Sequence, residues 1–272
     1  MGSITGSWTG LEFKEILLDV KDNIATITLN RPQFGNALAT GSYGEIRDAV
    51  QVCEEDENVR AIVIRSTGKH FSAGGDLKRF KSLIDSKEYL NAESIIYAGE
   101  MTSAIRRCTK PVIAMIQGVA TGAGCSLAVA CDFRVATRNT KFVMGFVKLG
   151  LTGDTGSMYF LYKLIGLAKA SEMLMLGDPV NGEDGYRMGL VTKLVEEEDL
   201  ESETYSLARR LADSPTQSLR LQKKVMMEFF YQDLDAYSIR EGECLAQTSR
   251  TEDFEEAVNA FLEKRQPVFV GK

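Results

Sequence analysis

Short apolar segments recur along the first two thirds of the chain, separated by loops and longer amphipathic segments. In residues 24–29 large apolar residues alternate with smaller or polar ones, the period of two that is typical of a half-buried strand. Residues 61–64 are continuously apolar, as expected of a strand covered on both faces. The pattern predicts strands at 13–18, 24–29, 61–64, 112–116, 133–136 and 190–195, with Asp22-Asn23 as the first turn.

Between these runs the apolar positions have a helical spacing. A helix is predicted over 41–56, and residues 78 to about 108 are mostly helical with a break before Asn91. Strands and helices alternate in this way over about 195 residues, which indicates an α/β fold. From Asp199 onward helices dominate. We therefore predict an α/β core over 1–198 and a helical C-terminal subdomain over 199–272.

Composition and charge narrow the class of protein. The chain has 272 residues and a net charge of -6, with no basic domain, which argues against nucleic acid as the main partner. The five cysteines have no metal-ligand or CxxC spacing, and no secretory signal precedes them, so we expect reduced thiols and no metal. No apolar run is long enough to span a membrane. The expectation is a soluble, cytoplasmic protein without a membrane partner.

Two glycine-rich turns and one isolated acid are the candidate functional features of the sequence. The turns cover 68–77 and 117–124, and each directly follows a predicted strand. A helix is predicted to begin near Ala123, where unpaired backbone N–H groups and the helix dipole favour an anionic oxygen. Asp154 lies about thirty residues later in a loop without other charge. Donors for an oxyanion and one sheltered carboxylate would form a minimal site for proton transfer.

Several motifs, in this order and spacing, make the chain resemble the enoyl-CoA hydratase/isomerase (crotonase) superfamily. The likeness extends over almost the whole chain. The residues that carry it are 29–32, 36–38, 71–77, 118–125, 131–132, 189–191 and 260–265. The resemblance implies a spiral of ββα units, a C-terminal helical part used in trimerisation, and an acyl-CoA thioester as substrate. It also implies a homotrimer or a dimer of trimers, and no cofactor beyond the CoA part of the substrate.

The resemblance assigns roles to individual residues. The N–H groups of Gly75 and Ala123 would stabilise the thioester enolate, with Asp154 as the acid/base. The CoA- and substrate-binding positions implied by the motifs are Arg31, Gln33, Phe34, Ala73, Asp76, Leu77, Gly122, Ser126, Phe146, Phe261 and Lys264. Phe261 and Lys264 match the part of the C-terminal helix that reaches the adenine and 3′-phosphate.

The chain departs from the family's hydratases at one important place. Where those enzymes carry two glutamates that activate water, this sequence has Ser126 and Phe146. Asp154 aligns instead with the acid of several family isomerases, and the closest likeness in motif is to isomerases of phenylacetate degradation. The leading prediction is therefore an enoyl-CoA double-bond isomerase.

Other interpretations stay open at this point. Asp154 is also placed where an aspartate could cap the following helix. Hydration or hydrolytic C–C cleavage of an unusual acyl-CoA is the alternative chemistry, and a non-catalytic acyl-CoA- or RNA-binding protein is the alternative class. Apolar residues near the site that could line an acyl pocket are Met144, Phe146, Tyr159 and Phe160.

Overall fold

The computed structural model describes residues 12–272. The expectation about N-terminal targeting signals falls on residues 1–11 and so lies outside the described residues. Nine strands are found within 12–272, and they form two sheets. The strands are β1 Ile16–Lys21, β2 Ile24–Leu29, β3 Ala61–Ser66, β4 Val112–Ile116, β5 Val119–Thr121, β6 Phe133–Thr137, β7 Lys141–Val143, β8 Val180–Asn181 and β9 Lys193–Val195.

The larger sheet has the strand order β1-β2-β3-β4-β6-β9. Strands β1 and β2 are antiparallel, and the turn between them has positive φ at both Asp22 (53°) and Asn23 (65°), as a tight two-residue hairpin requires. The remaining neighbours are parallel. The smaller sheet has the order β5-β7-β8. Strands β4 and β6 of the larger sheet are each followed by a strand of the smaller sheet, β5 and β7, before the next α-helix, and after β3 Ser72 pairs with Ala120 of β5 in a single bridge. This order of strands and helices agrees with the predicted spiral of ββα units.

Ten α-helices cover these sheets within the described part of the chain. Asn91 caps α3, its side chain accepting the Ser94 N–H at 2.8 Å, and this cap is the predicted break in the long helical stretch. The helices are α1 Thr40–Glu55, α2 Leu77–Asp85, α3 Ala92–Arg107, α4 Ala123–Ala130, α5 Ser157–Leu176, α6 Gly182–Arg187, α7 Leu200–Ala212, α8 Thr216–Phe230, α9 Leu234–Thr248 and α10 Glu252–Glu263.

The two faces of the larger sheet have separate cores. One face packs with α1, α3 and α4 into the main core, which includes Ile62, Ile64 and Ile116. The other face is covered by α7, whose Leu200, Ala208 and Ala212 pack against the opposite side chains of β3 and β4. Burial on both faces explains the continuously apolar sequence of these strands.

Several strand predictions were wrong in their bounds. The first strand begins at Ile16 rather than 13, because the Glu45 carboxylate accepts the N–H groups of Lys14, Glu15 and Ile16. The last begins at Lys193 rather than 190, since the N–H groups of Leu190 and Val191 bond to the Gly185 carbonyl. Strands β5, β7 and β8 were not predicted.

The C-terminal helices pack against helices and turns of the α/β core. Helix α9 packs along α3, and α10 contacts α2 and the short 3-10 turn Val147–Leu149, close to the second glycine-rich turn. Across residues 12–272 there is no helix with the length and apolar character needed to cross a membrane.

Candidate active site

The structure places the two predicted glycine-rich turns side by side. The Ser72 N–H donates to the Val119 carbonyl at 3.0 Å, and the Thr121 N–H donates to the Ser72 carbonyl at 2.9 Å. At Gly74, φ is 86°, and a Cβ there would lie 2.6 Å from the Thr121 carbonyl oxygen. The close approach of the two backbones therefore requires glycine at this position.

The two predicted oxyanion donors lie on this pair of turns. Gly75 follows directly after Gly74, and Ala123 is the first residue of α4, behind the N-cap Gly122. Within residues 12–272 neither the Gly75 N–H nor the Ala123 N–H has a hydrogen-bond acceptor. Both residues line the same cavity. Two free backbone donors, one reinforced by a helix N-terminus, suit an anionic oxygen.

Asp154 lies in the loop that leads into α5. The backbone of this loop is unusual, with positive φ at Gly153 (123°), Thr155 (54°) and Gly156 (73°). A β-branched residue such as Thr155 adopts this region at a cost of roughly 1–2 kcal/mol. The loop is therefore held in place by its surroundings rather than by its own preference.

The environment of the Asp154 carboxyl suits an acid/base. Burial raises its pKa to about 6, although the Thr155 hydroxyl, which donates to it at 3.1 Å, and the Arg79 charge act in the opposite direction. The N-cap of α5 is Gly156, and within residues 12–272 the Asp154 carboxyl accepts no backbone N–H. The helix-cap interpretation is thus contradicted, and the carboxyl is free to meet a ligand.

A cavity of about 440 Å³ joins the donors to Asp154. Among the sequence-predicted site residues, those that line it are Ala73, Gly75, Leu77, Gly122, Ala123, Phe146, Asp154 and Phe261. The other lining residues are His70, Gly74, Phe80, Leu90, Val119, Thr121, Val143, Gly145, Lys148, Leu149, Leu151 and Leu245. The wall is mainly apolar and small, which suits an aliphatic or ring-shaped acyl group.

The two positions where hydratases carry glutamate have different surroundings here. Phe146 is 8% exposed and lies in the cavity wall. Ser126 is fully buried and outside the lining, and its hydroxyl donates to the carbonyls of Gly122 (3.2 Å) and Asp154 (3.4 Å). Neither residue offers a proton-transfer group to the cavity.

The remaining predicted binding residues lie outside the lining. Phe34 is 42% exposed, with the Arg31 guanidinium 4.8 Å and the Lys78 ammonium 5.3 Å from its ring centroid. Asp76 caps α2 by accepting the Lys78 N–H at 3.0 Å, and its carboxylate is 3.5 Å from Arg31. Gln33 is exposed beside Phe34. An exposed ring flanked by two cations suits a ligand with a flat base and phosphates.

Two further placements concern the C-terminal helix and the acyl pocket. Lys264 ends α10, is exposed, and has a φ of 57°. Met144, Tyr159 and Phe160 are buried and do not line the cavity, so the interpretation of these three as pocket residues was wrong.

Sequence reasoning missed two ionisable groups near Asp154. Burial raises the pKa of the Tyr43 phenol, and the Asp154 charge raises it further. Glu241 of α9 is 4% exposed and accepts the Gly156 N–H at 2.8 Å. Both residues lie within ordinary helical patterns, and no sequence signal separates them from core or surface positions. Within 12–272 no group of three or more His, Cys, Asp or Glu is placed to hold a metal ion.

This arrangement can stabilise negative charge on a carbonyl oxygen and move a proton at a neighbouring carbon. A family model described as Enoyl-CoA hydratase/isomerase matches residues 19–272. The chain therefore belongs to the enoyl-CoA hydratase/isomerase family.

Curated relatives whose sequences are about equally similar to this chain are named for different activities. Trans-2-decenoyl-[acyl-carrier-protein] isomerase of Streptococcus mutans is 34% identical over 266 residues, which are 96% of this chain and 100% of the relative. Crotonyl-CoA hydratase of Syntrophomonas wolfei is 33% identical over 96% of this chain and 100% of its own length. 1,2-epoxyphenylacetyl-CoA isomerase of Escherichia coli is 33% identical over 94% and 98%, respectively.

The fold comparison agrees with this membership. The crystal structure of an enoyl-CoA hydratase from Mycobacterium avium subsp. paratuberculosis superposes with a TM-score of 0.86 at 27% identity. The match covers 95% of this chain and 100% of that one. The strand order and this superposition together confirm the predicted spiral of ββα units. Family and fold are thus settled together, whereas hydratases and isomerases both occur among the similar proteins.

Proposed function

We propose that the protein is an enoyl thioester isomerase that moves a carbon–carbon double bond with Asp154 as the acid/base. The observation that carries this proposal is that Asp154 is the sole carboxylate among the described residues that line the cavity. Water activation by a pair of glutamates has no counterpart, because Phe146 occupies one of the two positions and Ser126 is buried behind the wall. A single carboxylate is sufficient for a shift that takes up and returns one proton.

The proton balance of such a shift is simple. With a 3-enoyl thioester, the Asp154 carboxylate removes a proton from C2, and the electrons of that C–H bond extend into a dienolate. The negative charge on the thioester oxygen is stabilised by the N–H groups of Gly75 and Ala123. The protonated Asp154 then returns the proton to C4, and the double bond lies between C2 and C3. No water, oxidant or cofactor is consumed.

The substrate class follows from the cavity and its surroundings. The apolar lining favours a hydrocarbon acyl group, and Arg31, Phe34 and Lys78 favour a carrier that contains phosphate, such as CoA. Because one similar relative is named for an acyl-carrier-protein substrate, the assay should offer both CoA and carrier-protein thioesters. We further propose that no cofactor is needed beyond the CoA part of the substrate.

Self-association is part of the proposal. Helix α8 exposes a row of large apolar side chains, which favours burial against another copy of the chain. The row comprises Leu221 (60% exposed), Val225 (51%), Phe229 (68%) and Phe230 (62%). A homotrimer or a dimer of trimers is the assembly that the family resemblance implies, and light scattering of the purified protein would measure it.

The decisive experiment replaces Asp154 with Asn and follows 3-enoyl thioesters by mass spectrometry in D₂O. We expect wild-type protein to shift the double bond and incorporate deuterium, and Asp154→Asn to lose a factor of about 10²–10⁴ in turnover. Asp85→Asn, an exposed change on α2, is the matched control and should keep full activity. Undiminished turnover by Asp154→Asn would exclude the proposed role.

The same assay separates isomerisation from its alternatives. In H₂¹⁸O, hydration or hydrolytic C–C cleavage would place ¹⁸O in the product, whereas a double-bond shift leaves the product unlabelled. Label in the product would overturn the isomerase proposal in favour of a water-adding reaction. Tight thioester binding without turnover across the panel would instead indicate a binding protein.

A further inference from the structure

Glu241 is a buried acid that the proposed chemistry does not use. It lies on α9 with 4% of its surface exposed. One carboxyl oxygen accepts the Gly156 N–H at 2.8 Å, and the other accepts the Tyr237 hydroxyl, also at 2.8 Å. A buried carboxyl is costly unless it has partners, and here one partner is the backbone of the Asp154 loop and the other is a side chain of the same helix.

The bond to Gly156 connects Glu241 to the Asp154 loop. Gly156 is the N-cap of α5, so Glu241 satisfies one of the backbone donors that a helix start leaves unpaired. The loop's other anchors are the Thr102 hydroxyl, which donates to the Thr155 carbonyl at 3.0 Å, and the Ser126 hydroxyl, which donates to the Asp154 carbonyl at 3.4 Å. Glu241 is the one ionisable group among these side-chain anchors.

Electrostatics couples the two acids. Burial raises the pKa of Glu241 to about 8; the Asp154 charge contributes to this rise, while the Gly156 N–H and the Tyr237 hydroxyl oppose it. Asp154, with a pKa of about 6, ionises first and then disfavours a second negative charge behind it. Tyr237 of the same helix donates to Glu241, and the Arg79 charge of α2 acts on Asp154. From α3, the neutral Thr102 donates to the Thr155 carbonyl, and Arg107 pairs with Asp235 of α9.

We propose that Glu241 is the positioning residue for Asp154: from α9 it fixes the strained catalytic loop by accepting the Gly156 N–H. This inference rests on the proposed role of Asp154. The C-terminal helical part thereby acts directly on the geometry of the site.

Two substitutions separate the hydrogen bond from the charge. Glu241→Met keeps the length of the side chain but removes both acceptors, and we expect kcat to fall about 10- to 100-fold with KM changed less than twofold. Glu241→Gln keeps an acceptor for Gly156 and cannot ionise. It should retain kcat within threefold at pH 7. Glu243→Gln, an exposed change on the same helix, is the control.

An activity-independent measurement accompanies the kinetics. Hydrogen exchange of the Gly156 amide in the ligand-free protein should accelerate at least tenfold in Glu241→Met and stay unchanged in Glu243→Gln. If Glu241→Met does not fold, kcat and the Gly156 amide exchange of Glu241→Gln, both expected near the wild-type values, decide the question.

A folded Glu241→Met protein with wild-type kcat would overturn the proposal, and so would a folded Glu241→Gln protein that loses as much activity as Glu241→Met. If instead the proposed function is wrong, the results differ from these. Asp154→Asn would then remain active, while Glu241→Met would still accelerate exchange of the Gly156 amide.

Discussion

The two walls of the cavity perform their roles by different physical means. The donor wall consists of the backbone N–H groups of Gly75 and Ala123, which do not titrate and are fixed by the contact of two turns. The second wall depends on one side chain, Asp154, on a loop with three positive φ angles. In the first wall the function lies in the backbone N–H groups, so Ala123 tolerates another small side chain, whereas Gly74 must stay glycine for the two turns to meet. The second is sensitive to side-chain identity, loop position and pH.

Ala123→Pro tests the donor wall alone and is expected to have the largest effect on kcat among the changes in that wall. Ala123 is the first residue of α4, where proline is well accommodated and the N–H has no intrahelical partner. Loss of one oxyanion donor should therefore lower kcat by about 10²–10³ without unfolding the helix. Steady-state kinetics with circular dichroism would measure both.

Ala123→Gly retains the N–H and is the matched control, with an expected change of no more than a few-fold. Equal activity of the proline and glycine variants would show that this N–H does not stabilise the reacting oxygen.

The pH profile of kcat/KM tests the second wall, which depends on Asp154. Because burial raises the pKa of Asp154 to about 6, and only the ionised form accepts a proton, kcat/KM should fall about tenfold per pH unit below pH 6. The backbone donors do not titrate, so Ala123→Pro should show the same acid limb at a lower overall rate. An acid limb near pH 4 would mean that Asp154 is solvated in the working enzyme.

The two walls also differ in how much of their structure can be predicted from the sequence. Strands such as β3 and β4 follow from local apolar runs, and the donors follow from glycine-rich turns after strands. Strands β5 and β7 have three residues each and β8 two, and only pairing between distant segments defines them, so local pattern cannot reveal them.

The same limit applies to side chains brought to the site by tertiary packing. Glu241 and Glu243 are two residues apart in one charged helical stretch, yet the first is buried against the Asp154 loop and the second is exposed. Leu90 and Leu245 line the cavity from segments far from both turns. Motif resemblance predicted Asp154 and the two donors as site residues, whereas the side chains that contact the Asp154 loop became visible only in the folded chain.

The substitution with the smallest expected effect, Gly74→Ala, tests whether contact between the two turns fixes the donor wall. At Gly74 an alanine Cβ would lie 2.6 Å from the Thr121 carbonyl oxygen at a φ of 86°, so Gly74→Ala should lower the free energy of unfolding by roughly 1–3 kcal/mol.

The matched control is Gly99→Ala in α3, where a Cβ meets no atom within 4 Å. This change should stabilise the protein by about 0.5–1 kcal/mol because alanine favours the helix. Urea unfolding of both variants with kcat for each would give the comparison. Since Gly75 follows Gly74, kcat should fall in Gly74→Ala alone, and an unchanged kcat in that destabilised variant would show that the donor wall does not depend on this contact.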